Sequence, residues 1–346
     1  MAILAAGRKI APAAILGNLV ALGAGLLVML ALGEVALRAI DLGHPYYSAP
    51  ELYRSSDDPR VLFEPRPGFD GFSEGVWLTT NSRGLREREL PLAKPAGARR
   101  VIFLGDSVTF GAGVNDDEPF PRLLEAGVNG SGSGPIETVN TGVVGYNTVQ
   151  ELARLEQAGL PYRPDVVVLT FVVNDLLETF SIFDHQYEPT GILAGPKVWL
   201  RRNSHLYRFV QQMYWRLGQE LRRAREGPTE PLRKRERVDE RLATLGEIVR
   251  LTRANGARFL LVLYPDNLSD PVSPGPSGER LTVREELEQF AAREQVPMFD
   301  LSAALGDVRD PRARQYRLRE DPHPSPEGHR VIAEALRAPL LDVLGR

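Results

Sequence analysis

The chain has 346 residues, 43% of them hydrophobic and 25% charged, with a formal net charge of -3. That is enough for one large domain or two small ones, and it gives no global basic field to attract nucleic acid. There is no cysteine and there are five histidines, which excludes disulfides, thiolate catalysis, cysteine-ligated zinc and an acylated lipoprotein cysteine; without an HExxH-type pair, neither a metal nor a cofactor is expected.

From Ile10 to Leu32 the sequence is apolar and uncharged. A helix rising about 1.5 Å per residue over that length crosses a hydrocarbon core of about 30 Å. Residues 10–33 are therefore expected to be a transmembrane anchor. Arg8 and Lys9 precede it, whereas Glu34, Arg38 and Asp41 roughly cancel. The positive-inside rule then puts residues 1–9 in the cytoplasm and everything after Gly33 outside the cytoplasmic membrane, periplasmic or extracellular. The alternative is a signal peptide cleaved near Ala31-Leu32-Gly33, which leaves a secreted protein. A buried core helix fits less well, because the apolar character runs all round the helix.

Residues 34–99 are rich in Pro, Gly and aromatics, with short extended pieces such as Val76 to Thr79. They read as a stalk and an irregular, partly β lead-in to a main domain over 100–346. Val101 to Leu104 is a short apolar run ending in Gly105-Asp106-Ser107, a buried strand running into a turn. Pro119 to Val128 reads as helix and Thr138 to Asn140 as strand. Thr148 to Gly159 has helical spacing with Leu152 and Leu155 inward. Asp165 to Phe171 is apolar and β-branched, as strands buried on both faces are. Arg237 to Asn255 is an amphipathic helix closed by Asn255-Gly256, and Arg258 to Tyr264 a further strand. Val283 to Arg293 and Gly328 to Leu344 are helices flanking a short strand at Val296 to Leu301. This alternation predicts an α/β fold, a three-layer α/β/α sandwich on a mostly parallel sheet, with active residues at the carboxyl ends of the strands. A helical insertion at about 180–236 interrupts it. Trp199 to Arg225 within it is aromatic and basic, and suits a lid, a surface helix near anionic lipid or a solvated helix capping the domain.

Three clusters have the residue types for acyl chemistry. Ser107 follows a buried strand after a glycine that permits a sharp turn. The segment is not a phosphate loop, since no Gly-Lys-Ser/Thr follows, and Thr109 breaks the G-x-S-x-G pattern. Taken alone it is equally a strand-end turn with a capping serine. Asp321-Pro322-His323 lies just before the last helix. A serine nucleophile needs an imidazole base, and the base a carboxylate to hold its tautomer. His329 in the same stretch reads as a structural residue that caps or packs the last helix. Asn140 to Thr148, with Gly142 and Gly145, and Val173-Asn174-Asp175 follow two other strands. Both could supply donors to an oxyanion, although Asn174-Asp175 is also a helix N-cap signal.

Together these blocks resemble the SGNH/GDSL hydrolase family over roughly residues 100–346, in the family's order. The resemblance implies Ser107 as nucleophile and oxyanion donor, Gly145 as second N–H donor with Gly142 as the alternative, and Asn174 as the amide donor. It further implies His323 as general base and Asp321 as its partner. Asn81 to Arg86, behind the anchor, is similar to a membrane-anchored bacterial branch of the family. Two positions depart from the pattern: Val172 stands where the third block often has glycine, and the usual acid position, three residues before the histidine, holds Glu320. Glu320 therefore stays open as the acid. The expected activity is a serine ester hydrolase acting on acyl esters of envelope glycans, lipids or small molecules, with no nucleic-acid partner. An O-acyltransferase sharing the same acyl-enzyme, a non-catalytic glycan-binding module and a membrane lipase with a lid at 197–225 are the other readings.

Overall fold

The computed structural model describes residues 12–40, 42, 50–132, 134–176, 192, 194–226, 234–275, 278–306, 310–318 and 321–345. The chain divides into two compact units, one from Met1–Pro45 with Pro189–Gly227, the other from Tyr46–Glu188 with Pro228–Arg346.

The first unit contains α1 (Pro12–Ala39). Its stretch Ile15–Ala39 is long and apolar enough to cross a membrane, and none of its most apolar window is buried inside the protein. That exposure removes the core-helix reading, because a core helix hides its apolar side chains. Of the charges used to orient the span, Arg8, Lys9 and Asp41 lie outside the described residues.

The second unit opens with two small antiparallel hairpins, β1 (Tyr53–Ser55) with β2 (Phe63–Pro65) and β3 (Asp70–Ser73) with β4 (Val76–Thr79). Then follow β5 (Arg99–Gly105), α2 (Ser107–Phe110), α3 (Phe120–Gly130), β6 (Ile136–Asn140), α4 (Thr148–Arg154) and β7 (Val166–Phe171). The crossover from β7 carries the insertion, with α5 (Ala194–Asn203) and α6 (His205–Glu226) in the first unit. The chain then returns to the second unit as α7 (Arg235–Ala254), β8 (Arg258–Leu263), α8 (Val283–Glu294), β9 (Met298–Asp300), α9 (Ser302–Leu305) and α10 (Pro326–Leu344).

Strands β5 to β9 form one sheet in the order β6-β5-β7-β8-β9, every pair parallel. This is the doubly wound arrangement in which the order reverses beside the first strand, and ligands bind at the strand carboxyl ends there. Alternation along the strands feeds two cores. Ile102, Leu104, Val167 and Leu169 face α4, α7 and α8, while Val101, Phe103, Val166 and Val168 face α3 and α10. β7 is buried at every residue, as a central parallel strand covered on both sides must be. The hairpins are integral to this unit. Leu52, Tyr53, Phe63 and Leu78 pack with Phe110, Val143 and Tyr146 in a third core, and the Tyr146 hydroxyl donates to the Phe63 carbonyl.

The segment 148–159 differs from the expected amphipathic helix. It is α-helical to Arg154 and then widens into one π turn over Leu155–Gly159. Leu155 is buried, but Leu152 only partly, and Gln150, Glu151 and Arg154 share the buried side. Gln150 and Arg154 face inward because they meet polar groups of the lead-in: Gln150 Nε2 donates to the Val61 carbonyl at 2.8 Å and Arg154 to the Gly84 carbonyl at 3.2 Å.

Candidate active site

The apolar run of β5 ends at Gly105, whose φ is +150°. A Cβ there would lie 2.2 Å from Thr109 Oγ1 and 3.2 Å from the Thr170 carbonyl oxygen, so the turn into α2 requires glycine. Asp106 caps α2 by accepting the Val108 N–H at 2.9 Å. Ser107 is the first residue of α2 and is 7% exposed.

His323 reaches Ser107 across 216 positions of sequence, with Nε2 2.7 Å from Ser107 Oγ. On its other side the ring's Nδ1 meets Asp321 Oδ1 in a short hydrogen bond, and the same oxygen accepts the His323 backbone N–H at 2.9 Å. The loop is tied down from several sides. Arg317 bridges Pro324, the Leu318 N–H donates to the His323 carbonyl at 2.9 Å, and the Tyr264 hydroxyl donates to the Pro322 carbonyl at 3.0 Å. Ser325 then starts α10 by accepting the Gly328 N–H. Glu320, the other acid considered, lies outside the described residues.

Asn174 follows β7, and its Nδ2 donates to Asp106 Oδ2 at 2.7 Å, the same oxygen that stands 3.3 Å from Ser107 Oγ. Among the described residues the second N–H of that amide has no acceptor. Val172, where the third block often has glycine, is 5% exposed and packs into the core with α3 and α10. In the loop after β6, the Gly142 N–H donates to Asn140 Oδ1 at 3.0 Å, and a Cβ on Gly142 would lie 2.5 Å from the Phe110 nitrogen. Gly142 therefore serves close packing against α2. Gly145, at φ +79°, makes no backbone hydrogen bond through its N–H among the described residues.

A family model for GDSL-like lipases and acylhydrolases matches residues 103–331, well over half of the chain. The chain belongs to this family. Solved structures similar to it include that of TesA, at 16% identity over 71% of this chain and 99% of that one, with a TM-score of 0.44. The psychrotrophic esterase EstA from Pseudoalteromonas sp. aligns at 14% identity over 72% and 100%, TM-score 0.44. The acetyl xylan esterase AlAXEase aligns at 17% identity over 70% and 99%, TM-score 0.42. A search of curated proteins finds no significant match. At the level of reaction class, this GDSL-like acylhydrolase is an ester hydrolase and its substrates are acyl esters.

The acylhydrolase site is electrostatically lopsided. Burial works to lower the His323 pKa, but the Asp321 hydrogen bond and charge, with Asp106 and Glu74 behind, hold it above the ordinary imidazole value. Burial likewise works to raise Asp321, and the same pairing holds it below the usual carboxylate range. Asp106 is pushed up by burial, and the Val108 N–H, the Asn174 amide and the nearby His323 offset this only in part. Beneath it lie two more buried acids, Glu151 and Asp175, each pushed well above the usual range by burial and then by neighbouring carboxylates. Both Glu151 oxygens lack a hydrogen-bond partner among the described residues. His329 is fully buried. Its Nδ1 accepts the Phe120 N–H at 3.2 Å and its ring stacks on Phe120, while burial, then Arg86 and His323, lower its pKa to about 3. The histidine is thus a neutral cap for the start of α3. No group of three or more His, Asp or Glu among the described residues is arranged to hold a metal ion.

Two residues of the site went unassigned by motif reading. Asp106 links the cap of α2 to the Asn174 amide; the available signal was an Asx residue directly before a helix. Arg86, only 5% exposed, donates to the Phe110, Gly111 and Val114 carbonyls and pairs with Asp116 at 3.2 Å, holding the loop behind α2. Only its place in the Asn81 to Arg86 motif marked it.

Proposed function

We propose that this acylhydrolase works through an acyl-enzyme on Ser107. His323 Nε2 takes the Ser107 proton as Oγ attacks the ester carbonyl, and Asp321 holds the Nδ1–H and stabilises the imidazolium. The oxyanion is received by the Ser107 and Gly145 backbone N–H groups and by the second N–H of Asn174. Collapse breaks the ester C–O bond, and His323 returns its proton to the departing alcohol. Water, deprotonated by His323, then attacks the acyl carbonyl and frees the acid and Ser107. The observation that carries this reading is the 2.7 Å approach of the His323 ring to Ser107 Oγ, with Asp321 on the opposite nitrogen.

The reading includes location. Exposed, apolar α1 acts as an uncleaved span with the hydrolase unit outside the cytoplasmic membrane, where acyl esters on envelope glycans or lipids are the substrates. What supports it is the length and composition of α1 together with Arg8 and Lys9 ahead of it in the sequence.

Fluorophosphonate labelling tests the chemistry. The wild-type protein should label at Ser107, and Ser107→Ala should lose both label and p-nitrophenyl acetate turnover. Label that persists in Ser107→Ala, or turnover that does not need His323, refutes the mechanism.

A further inference from the structure

Helix α6 carries an apolar face that nothing in its own unit covers. Val210, Met213, Tyr214, Leu217 and Leu221 recur at helical spacing, and are between 48% (Met213) and 79% (Tyr214) exposed. Trp199 on α5 is 61% exposed. Single exposed apolar residues are ordinary, but a contiguous row along one helix marks a binding surface.

The start of α6 is fixed against α1. Glu34 stands where the apolar run of α1 ends. Its carboxylate accepts the Ser204 hydroxyl at 2.8 Å, the His205 N–H at 3.0 Å and the Leu206 N–H at 2.9 Å. A glutamate from one helix thus satisfies the open N–H groups of another. Arg38 pairs with Glu34 at 2.8 Å and also donates to the Asn203 carbonyl. His205 Nδ1 lies 3.0 Å from the Leu42 carbonyl oxygen. The Leu206 side chain sits over Gly33, where an added Cβ would meet it at 3.6 Å. The first turn of α6 is therefore held at the point along α1 where apolar sequence gives way to charge. If α1 spans a bilayer, that point is the outer membrane–water boundary.

Charge separates this segment from the rest of the chain. Residues 194–226 hold eight lysines or arginines against two glutamates, a net +6 in a chain of -3 overall. An amphipathic helix with this composition, starting at the boundary, matches an interfacial helix on an anionic bilayer.

We infer that α5 and α6 form a second membrane-binding element, with the Val210–Leu221 face of α6 seated among the acyl chains of anionic phospholipids beside the α1 span. This rests on the reading of α1 as an uncleaved span. The occupant is the lipid surface, because an anionic bilayer matches the +6 charge and the tether to Glu34 holds the start of α6 at the end of the span.

The absence of native cysteine makes the test direct. Single cysteines at Leu217, at Gln219 and at Leu26 are labelled with an environment-sensitive fluorophore in the full chain, reconstituted into phosphatidylcholine vesicles with or without phosphatidylglycerol. Gln219 is two residues on from Leu217 and so about 200° round the helix. The expected result is blue-shifted emission at Leu217→Cys, quenched by shallow-doxyl lipid and stronger with phosphatidylglycerol. Gln219→Cys should stay aqueous, and Leu26→Cys should be quenched by deep-doxyl lipid. An aqueous Leu26 probe overturns the span reading and this inference with it. A lipid-quenched Leu26 probe beside an aqueous Leu217 probe overturns this inference alone. So does a Leu217 probe shielded from water but untouched by lipid quenchers, which would mean a protein surface or a second copy covers the face. Equal insertion in neutral vesicles removes the anionic lipid from the inference.

Discussion

Asp106→Asn tests whether the buried carboxylate beside the nucleophile orients the Asn174 amide. Asparagine caps a helix about as well as aspartate, so α2 should survive. The substitution instead offers Asn174 either a weaker neutral acceptor or, with the amide turned, an N–H facing an N–H. The 2.7 Å bond from Asn174 Nδ2 is made to a carboxylate, a class of bond contributing about 1.5–3 kcal/mol. Once it is lost, the amide should turn away from the position proposed for the oxyanion. Full removal of one such donor costs about 10²–10³ in rate, or about 2.7–4 kcal/mol, which sets the ceiling for Asp106→Asn. The loss should fall on kcat with KM little moved, because the donor is used only as charge develops. If Asp106 acts through Asn174, then Asp106→Asn combined with Asn174→Ala should cost little more than Asn174→Ala alone. The assay is steady-state hydrolysis of p-nitrophenyl acetate by the two single variants and the double variant, with thermal melts to show that each is folded. Wild-type kcat in a folded Asp106→Asn, or fully additive losses in the double variant, would refute the reasoning.

Two other outcomes follow from the electrostatics. In the proposed mechanism neutral His323 is the base, and its pKa is held above the ordinary value, so kcat/KM should rise with pH along an acid limb centred above about 6.5. Asp321→Asn should lower kcat by as much as about 10⁴ and move that limb to lower pH, since burial alone depresses the histidine; an unmoved limb would exclude Asp321 as the orienting acid. For Glu151, the folded pKa lies far above the unfolded value. The unfolded chain therefore loses its proton first as pH rises. Stability falls as pH rises above the ordinary carboxylate pKa, until the folded group ionises. Glu151→Gln has no proton to lose, so its advantage in urea denaturation should grow from pH 5 to pH 8; a difference between variant and wild type that is flat with pH would contradict this.

Much of the architecture could be read from local pattern. β-branched runs such as Val166 to Leu169 can be buried only as strands with both faces covered, and their alternation with amphipathic helices implies a parallel sheet. Gly105 and the Asp-Pro-His loop were visible because a turn or a base needs particular residue types at fixed local spacing. Local pattern failed where a side chain's partner came from elsewhere in the chain. Glu151 and Arg154 face inward against the helical pattern because the lead-in and the acid cluster, not water, lie beside them. Asp106 was hidden because its partner, Asn174, is 68 positions away. α5 and α6 interrupt the hydrolase sequence, yet a single carboxylate at the end of α1 secures the start of α6.

By itself, then, the sequence determined the elements, the class of sheet and the residue types able to carry acyl chemistry, since these follow from periodicity, turn geometry and side-chain pKa. Tertiary structure alone decided which of those groups touch. The 2.7 Å contact between Ser107 and His323, the orientation of Asn174 by Asp106 and the neutral state of His329 all depend on burial and on neighbours remote in sequence. Hydrogen bonds and desolvation act over a few ångströms of space, whatever the separation along the chain.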